Sequence, residues 1–249
     1  MIWVFLPAYN EEVALERLVP KFDAELSRGA ELYKIVVLDD GSTDGTAEAA
    51  RRLGMVYPLT LLRHEKNQGL GRTMIDGLEH CAREAAPGDA VVTLDCDDTH
   101  EPKYVHAALA KLREGADVAI LSRYAPGGGE KGLSPVRSVL SRGAGLFLKV
   151  FFPIPGVQEY SCGYRVFRAS ILKRAFDTFG ENFVRLPHKG FVVTPEILIK
   201  MRLLDARIVE VPFTLDYGKK PGKSKNRPLK TISGYFSLVR LYFGRTSAR

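Results

Sequence analysis

Tyr33-Lys34-Ile35-Val36-Val37-Leu38-Asp39-Asp40-Gly41-Ser42-Thr43-Asp44-Gly45-Thr46 is the stretch that decides the fold. An apolar, β-branched run of strand length stops at two acids, crosses a glycine-rich turn and enters a helical pattern at Thr46. The same alternation continues on both sides. Upstream, Ile2 to Leu6 is a buried strand followed by the polar turn Ala8-Tyr9-Asn10-Glu11. Val13, Leu15, Leu18, Val19, Phe22 and Leu26 then mark one face of a helix from Glu12 to about Ser27. Downstream come a helix to Leu53, a strand at Leu59 to Arg63, a helix around Thr73 to Glu84 and a strand at Ala90 to Leu94. This order predicts an α/β fold, a mostly parallel sheet with helices on both faces. Ligands of such a sheet sit beyond the carboxyl ends of its strands, where the acids at 9–12, 39–44 and 95–98 fall.

Past residue 98 the pattern predicts a helix over Tyr104 to Arg113, a strand at Val118 to Leu121 and a hinge at Pro126-Gly127-Gly128-Gly129. A Ser134–Phe152 helix, a Tyr164–Arg168 strand, a Thr194–Leu204 helix and a Val209–Pro212 strand follow. A basic loop and an apolar Ile232–Phe243 segment complete the chain. No linker divides it, so residues 1–249 are expected to form one domain, with a smaller half from 123 onward packed on residues 1–122.

Bulk properties exclude several classes. Three widely spaced cysteines give neither a disulfide framework nor zinc spacing, and the short apolar N-terminus lacks the charged start of a signal peptide. A reducing cytoplasm is expected. No apolar segment reaches the ~18–20 residues needed to span a bilayer. The net charge of +7 points to an anionic partner. Lys219, Lys220, Lys223, Lys225, Arg227 and Lys230 fall in one stretch without an acid. No aromatic RNA platform or DNA-binding motif accompanies them, so nucleic acid is not the expected partner.

Asp95-Cys96-Asp97-Asp98 closes the Ala90 strand. Carboxylates on alternate residues there can reach into one crevice, where Mg²⁺ or Mn²⁺ would take one or two of them plus phosphate oxygens. Together with Pro7-Ala8-Tyr9-Asn10-Glu11, Asp39 to Thr46 and Asn67-Gln68-Gly69-Leu70-Gly71, this segment resembles family 2 glycosyltransferases of the GT-A, Rossmann-like fold. Ser122-Arg123-Tyr124, Ser161-Cys162-Gly163-Tyr164-Arg165, His188-Lys189-Gly190-Phe191 and Gly222-Lys223-Ser224-Lys225 extend the resemblance to the dolichyl- or polyprenyl-phosphate sugar synthase branch.

The resemblance implies a nucleotide-sugar site built from Pro7, Tyr9, Glu11, Asp39, Asp40, Asp95 and Lys225, with a divalent metal held by Asp95, Asp97 and Thr99. Thr99 stands where the branch usually has Gln, and Asp98 where an apolar residue is common, which leaves the third ligand to Thr99 or to water. Asp44 is either a ligand contact or a helix cap. Tyr9 either stacks on the base or packs in the core. Gly69 and Gly71 either admit a ligand to the backbone or simply make turns. Lys223-Ser224-Lys225 is a closing loop over the diphosphate or a solvated charge run.

On the acceptor side the resemblance assigns Arg123, Arg137 and Ser141 to a phosphate. A phosphate monoester near neutral pH is already ionised and needs cationic positioning rather than a general base. Arg123, Arg137 and the metal ligand Asp97 are thus the implied catalytic set. Glu159 replaces a usual Asp, and Cys162 a usual Ser. The implied reaction moves a hexose, mannose foremost, from a GDP- or UDP-linked donor to dolichyl or polyprenyl phosphate with inversion.

A rival within enzymes is transfer to a soluble hydroxyl, with Glu159 or Asp98 as base. A silent nucleic-acid or membrane module is a rival of another class. Apolar residues among Arg137, Arg142 and Lys149, and again from Tyr235 to Phe243, resemble interfacial helices with cationic borders. They predict a peripheral protein at the cytoplasmic face of a membrane, collecting lipid from the surface or working with a separate membrane protein.

Overall fold

The computed structural model describes residues 1–219 and 228–244. Strands and helices alternate strictly through β1 (Ile2–Ala8), α1 (Glu12–Arg28), β2 (Tyr33–Asp39), α2 (Thr46–Gly54), β3 (Leu59–Arg63), α3 (Leu70–Glu84) and β4 (Ala90–Thr93). There follow α4 (Val105–Arg113), β5 (Val118–Ser122), β6 (Gly129–Lys131), α5 (Pro135–Phe151), β7 (Arg165–Arg168) and α6 (Ala169–Phe179). The last described elements are α7 (Val193–Leu203), β8 (Ile208–Pro212), β9 (Thr214–Asp216) and α8 (Pro228–Tyr242).

A seven-stranded sheet runs in the order β3-β2-β1-β4-β7-β5-β8. Every neighbour pairing is parallel except those of β7, which is antiparallel to both β4 and β5. The chain winds outward from β1 through β2 to β3, then returns to place β4 on the other side of β1. That reversal opens a crevice beyond the carboxyl ends of β1 and β4.

Successive strand residues point to opposite faces, which gives the molecule two apolar layers. Trp3, Phe5, Val36, Leu38 and Val91 face Met74 and Leu78 of α3, Ile171 and Leu172 of α6 and Ile197 of α7. Ile2, Val4, Leu6, Ile35, Val37 and Val92 face Leu15, Leu18 and Phe22 of α1, Ala49 of α2 and Leu109 of α4.

Three features depart from expectation. α6, which carries Ile171, Leu172 and Ala175 into the core, went unread in the sequence. β7 inserts against the sheet direction. The glycine run expected as a hinge is pinned instead: Gly128 N donates to Ala125 O and Gly129 N to Phe213 O. A Cβ on Gly128 would lie 2.5 Å from Ser122 O, and Gly129 opens β6, which pairs with β9.

Among the described residues no helix is long and apolar enough to cross a membrane. α5 meets α8 through a Phe147–Phe236 ring contact and the residue just past α8 through Phe151–Phe243, at centroid distances of 5.3 and 5.8 Å. At 100° per residue, Val136, Val139, Leu140, Leu146 and Val150 of α5 form one stripe. Each is more than half exposed. Ser138, Ser141 and the buried Leu148 lie on the opposite side of that helix.

Candidate active site

The loops after β1 and β2 are stitched together. Asn10 N donates to Ser42 Oγ at 2.9 Å, Thr43 N returns a bond to Asn10 Oδ1 at 2.9 Å, and Glu11 N donates to Thr46 Oγ1 at 2.9 Å. Asp39, fully buried, accepts from Ser42 N at 2.9 Å and pairs with Arg63 Nε at 3.0 Å. Asp40 reaches the 64–69 loop: its oxygens accept from Gln68 N and Gly69 N, each at 2.8 Å, and lie 2.7 Å from His64 Nδ1. His64 Nε2 is in turn 3.0 Å from Asp76 Oδ2. Gly41 (φ +67°) allows this approach, since a Cβ there would meet Lys66 backbone at 2.6 Å. His64 was missed by the sequence reading, and its spacing carries no signal for this role.

Asp44 accepts from the backbone N–H of Thr46 at 3.0 Å and from its hydroxyl at 2.5 Å. Partial burial works against its charged form, yet the Thr46 bonds win and hold the carboxyl below its ordinary range. It therefore braces the entrance to α2. Pro7 is buried in β1 opposite Leu38, while Tyr9 and Glu11 are half-buried at the mouth of the crevice.

The acidic segment after β4 turns sharply. Asp97 Oδ1 accepts from Thr99 N at 3.2 Å and Thr99 Oγ1 at 2.6 Å. Asp98 takes a left-handed backbone (φ +59°) and pairs with Lys21 Nζ at 2.5 Å. Gly163 leaves room for Asp95, whose Oδ1 would lie 3.1 Å from any Cβ there.

Among the described residues no group of three or more His, Cys, Asp or Glu side chains is arranged to hold a metal. Asp95 and Asp97 fit a different mode. Two hard oxygen ligands at a crevice suit Mg²⁺ or Mn²⁺ whose remaining positions are filled by substrate phosphates and water.

Beyond β5, Arg123 lies at the centre of a polar cluster. Its Nε donates to Glu159 Oε2 at 2.7 Å and its Nη2 to Glu159 Oε1 at 3.0 Å, a bidentate fork. Nη2 also reaches Ser161 Oγ at 3.0 Å and Ser141 Oγ at 3.4 Å, and Nη1 reaches Glu130 Oε1 at 3.0 Å. Glu159 is fully buried. Burial opposes its charge, but the Arg123 guanidinium and the Ser161 donors outweigh it and hold the carboxyl below its usual range. The Cys162 thiol alongside is pushed up to about 12 by burial, with the Glu159 charge adding to the shift.

The structure thus brings Arg123 and Ser141 together. Arg137 is exposed on α5, with its guanidinium 5.8 Å from the Tyr217 ring. Lys223, Ser224 and Lys225 lie outside the described residues. Sequence reading missed Glu130 and Ser138, which join this cluster. A lone Glu after a glycine run gives no local hint of it.

Comparison with known proteins agrees with this architecture. The family model described as glycosyl transferase family 2 matches residues 3–176. The chain is 34% identical over 233 residues to a dolichol-phosphate mannosyltransferase of Pyrococcus furiosus, covering 93% of this chain and 60% of the relative. A polyprenol monophosphomannose synthase of Mycolicibacterium smegmatis is 28% identical over 213 residues, covering 85% and 76%. Glucosyl-3-phosphoglycerate synthase of Mycobacterium tuberculosis, crystallised with Mn²⁺, UDP and its product, superposes with a TM-score of 0.63 at 21% identity. That alignment covers 96% of this chain and 77% of the other and establishes the shared GT-A fold. The family match spans both acidic loops, the Asp95–Asp97 segment and the Arg123 cluster, and the chain belongs to glycosyl transferase family 2.

Proposed function

We propose that this chain transfers a hexosyl unit, mannose foremost, from a GDP- or UDP-linked donor to dolichyl or polyprenyl phosphate, inverting the anomeric centre. The observation that carries this reading is the state of the two acids a hydroxyl acceptor would need. Glu159 is buried and locked in the Arg123 fork, and Asp98 is bound by Lys21. Neither is poised to remove a proton. An ionised phosphate oxygen needs no base, and it meets hydroxyls and guanidinium groups from Ser141, Arg123 and Arg137. The two mannose-transferring relatives support the same acceptor class.

On the donor side, Asp39 and Asp40 hold the loops on which Tyr9 and Glu11 meet the nucleoside. Pro7 sets the end of β1, and Lys225 is assigned to the diphosphate. Asp95 and Asp97 would hold Mg²⁺ or Mn²⁺, with Thr99 fixing the Asp97 carboxylate. When bound, the cation supplies Lewis-acid stabilisation of charge on the departing β-phosphate. Arg123 and Ser141 orient the acceptor oxygen toward the anomeric carbon, with Arg137 adding charge from the rim. α5 carries Ser138 and Ser141 on one side and its exposed apolar stripe on the other, so a lipid phosphate at the cluster would be reached from a membrane surface, alone or with a membrane-protein partner.

The test is a donor panel of GDP-mannose, UDP-glucose and UDP-GlcNAc with Mn²⁺ or Mg²⁺ and a short polyprenyl phosphate. Metal-dependent label extracted into organic solvent, lost in Asp97→Ala, is the expected result. Metal-dependent release of nucleoside diphosphate without lipid label would overturn the acceptor assignment.

A further inference from the structure

Glu130 is a second carboxylate on an arginine that already has one. The bidentate Glu159 fork neutralises Arg123, and Glu130 leaves the three groups with a net charge of about −1. Glu130 is nevertheless nearly buried, its side chain 10% exposed. Its Oε1 accepts from Arg123 Nη1 at 3.0 Å and Tyr124 OH at 3.5 Å, and its Oε2 from Ser138 Oγ at 2.6 Å. Tyr124 OH and Ser141 Oγ lie 3.0 Å apart beside it. A guanidinium, a phenol and a serine hydroxyl therefore converge on one carboxylate. A phosphate monoester would seek the same donor set.

The carrier of that carboxylate is a three-residue strand, β6, which among the described residues pairs with β9 alone. Beside it opens a cavity of about 230 Å³ lined by Arg123, Tyr124, Glu130, Leu133, Ser138 and Arg142. Space, donors and a tethered anion coincide at the place assigned above to the acceptor.

We propose that Glu130 occupies the acceptor's phosphate seat, and that acceptor binding is an exchange of one anion for another. This rests on the reading that the acceptor is a phosphate. The carboxylate holds Arg123, Tyr124 and Ser138 in a converged arrangement, and the incoming phosphate displaces it. Glu130 is thus a specificity-setting residue: a neutral hydroxyl offers Arg123 too little to displace a carboxylate, whereas a phosphate dianion does so.

The experiment compares the protein with its Glu130→Gln variant. The amide keeps the side-chain shape and removes one negative charge a few ångströms from the phosphate. The Michaelis constant for short polyprenyl phosphate is expected to fall about tenfold, with the donor constant and kcat held within about twofold. Inorganic phosphate, measured by calorimetry and as an inhibitor competing with the acceptor, should bind more tightly in the same proportion. Glu130→Ala repeats the measurement should the amide disturb β6. An unchanged or raised acceptor constant in folded variants overturns the exchange. Absence of wild-type lipid product, with tighter inorganic phosphate binding retained in Glu130→Gln, would sink the acceptor assignment and leave the anion seat standing.

Discussion

Glu159 and Arg123 show why a single carboxylate cannot be assigned from its position in the sequence. Sequence reading makes Glu159 a candidate base for a hydroxyl acceptor, yet its side chain accepts five hydrogen bonds in full burial, and Glu159→Gln tests what those bonds contribute. Removing its charge leaves a guanidinium in a site that is 8% exposed, with Glu130 as its remaining acid. The expected cost is about 3 kcal/mol, at the low end for a broken buried pair because Glu130 remains. Urea unfolding at pH 7 measures it; a loss under about 1 kcal/mol would mean that the fork contributes little. The pH dependence follows from the same carboxyl. Its folded pKa lies below the unfolded value of about 4.3, so its contribution is present above that value and lost as pH falls through the folded one. The variant should accordingly show a shallower acid limb. Asp97, Arg123 and Ser141 came from the family resemblance, and of these the structure brings Arg123 and Ser141 into one cluster. Glu130 went unread, since nothing in its local sequence marks it as a partner of Arg123 seven residues earlier, and the strand that carries it pairs with β9, about 85 residues on in the chain.

Elements were more legible than their arrangement. The strands of the first half fall within two residues of their predicted ends, because an apolar run bounded by turn residues is a local signal. Direction and pairing are not local. The strand near Tyr164–Arg168 was read, but nothing in Arg165-Val166-Phe167-Arg168 announces that it runs against β4 and β5. α6 follows it without a turn, and its pattern was masked by that abrupt start. Gly77 on α3 shows how packing overrules propensity at this scale. Glycine inside a helix costs about 1 kcal/mol relative to alanine, so propensity alone makes Gly77→Ala stabilising. A Cβ at that position would lie 2.1 Å from two ring atoms of Phe5, which is fully buried in β1. Moving a fully buried ring aside overpacks the core, which costs about 1–3 kcal/mol. Gly77→Ala is therefore expected to destabilise, by up to about 2 kcal/mol net, in urea unfolding. A more stable variant would show that α3 can slide on the sheet.

The whole molecule gathers its chemistry on one edge. β1, β2, β4 and β5 are all parallel, so the acidic loops and the Arg123 cluster open at the same end of the sheet. α5 lies beside that end, as the contacts of Ser138 and Ser141 require. Its outward stripe is apolar, and on the helical wheel Arg137 falls on one flank and Arg142 and Lys149 on the other. With a net charge of +7, this geometry would suit an anionic bilayer, with the apolar side chains entering the interface and the flanking cations meeting headgroups. The double variant Val139→Asp, Leu140→Asp changes two residues that are 69% and 55% exposed, so the fold should tolerate it. Cosedimentation with vesicles containing phosphatidylglycerol is expected to fall at least tenfold, since two acids replace apolar contacts and repel the surface. Wild-type binding should itself weaken between 0.05 and about 0.5 M salt as the Debye length shortens. Turnover of a short, water-soluble polyprenyl phosphate should stay within about twofold of wild type, while turnover of a long-chain acceptor in vesicles is lost. Equal vesicle binding by variant and wild type would remove α5 as the docking element. Loss of turnover with the soluble acceptor would instead place this face of α5 in the acceptor site itself.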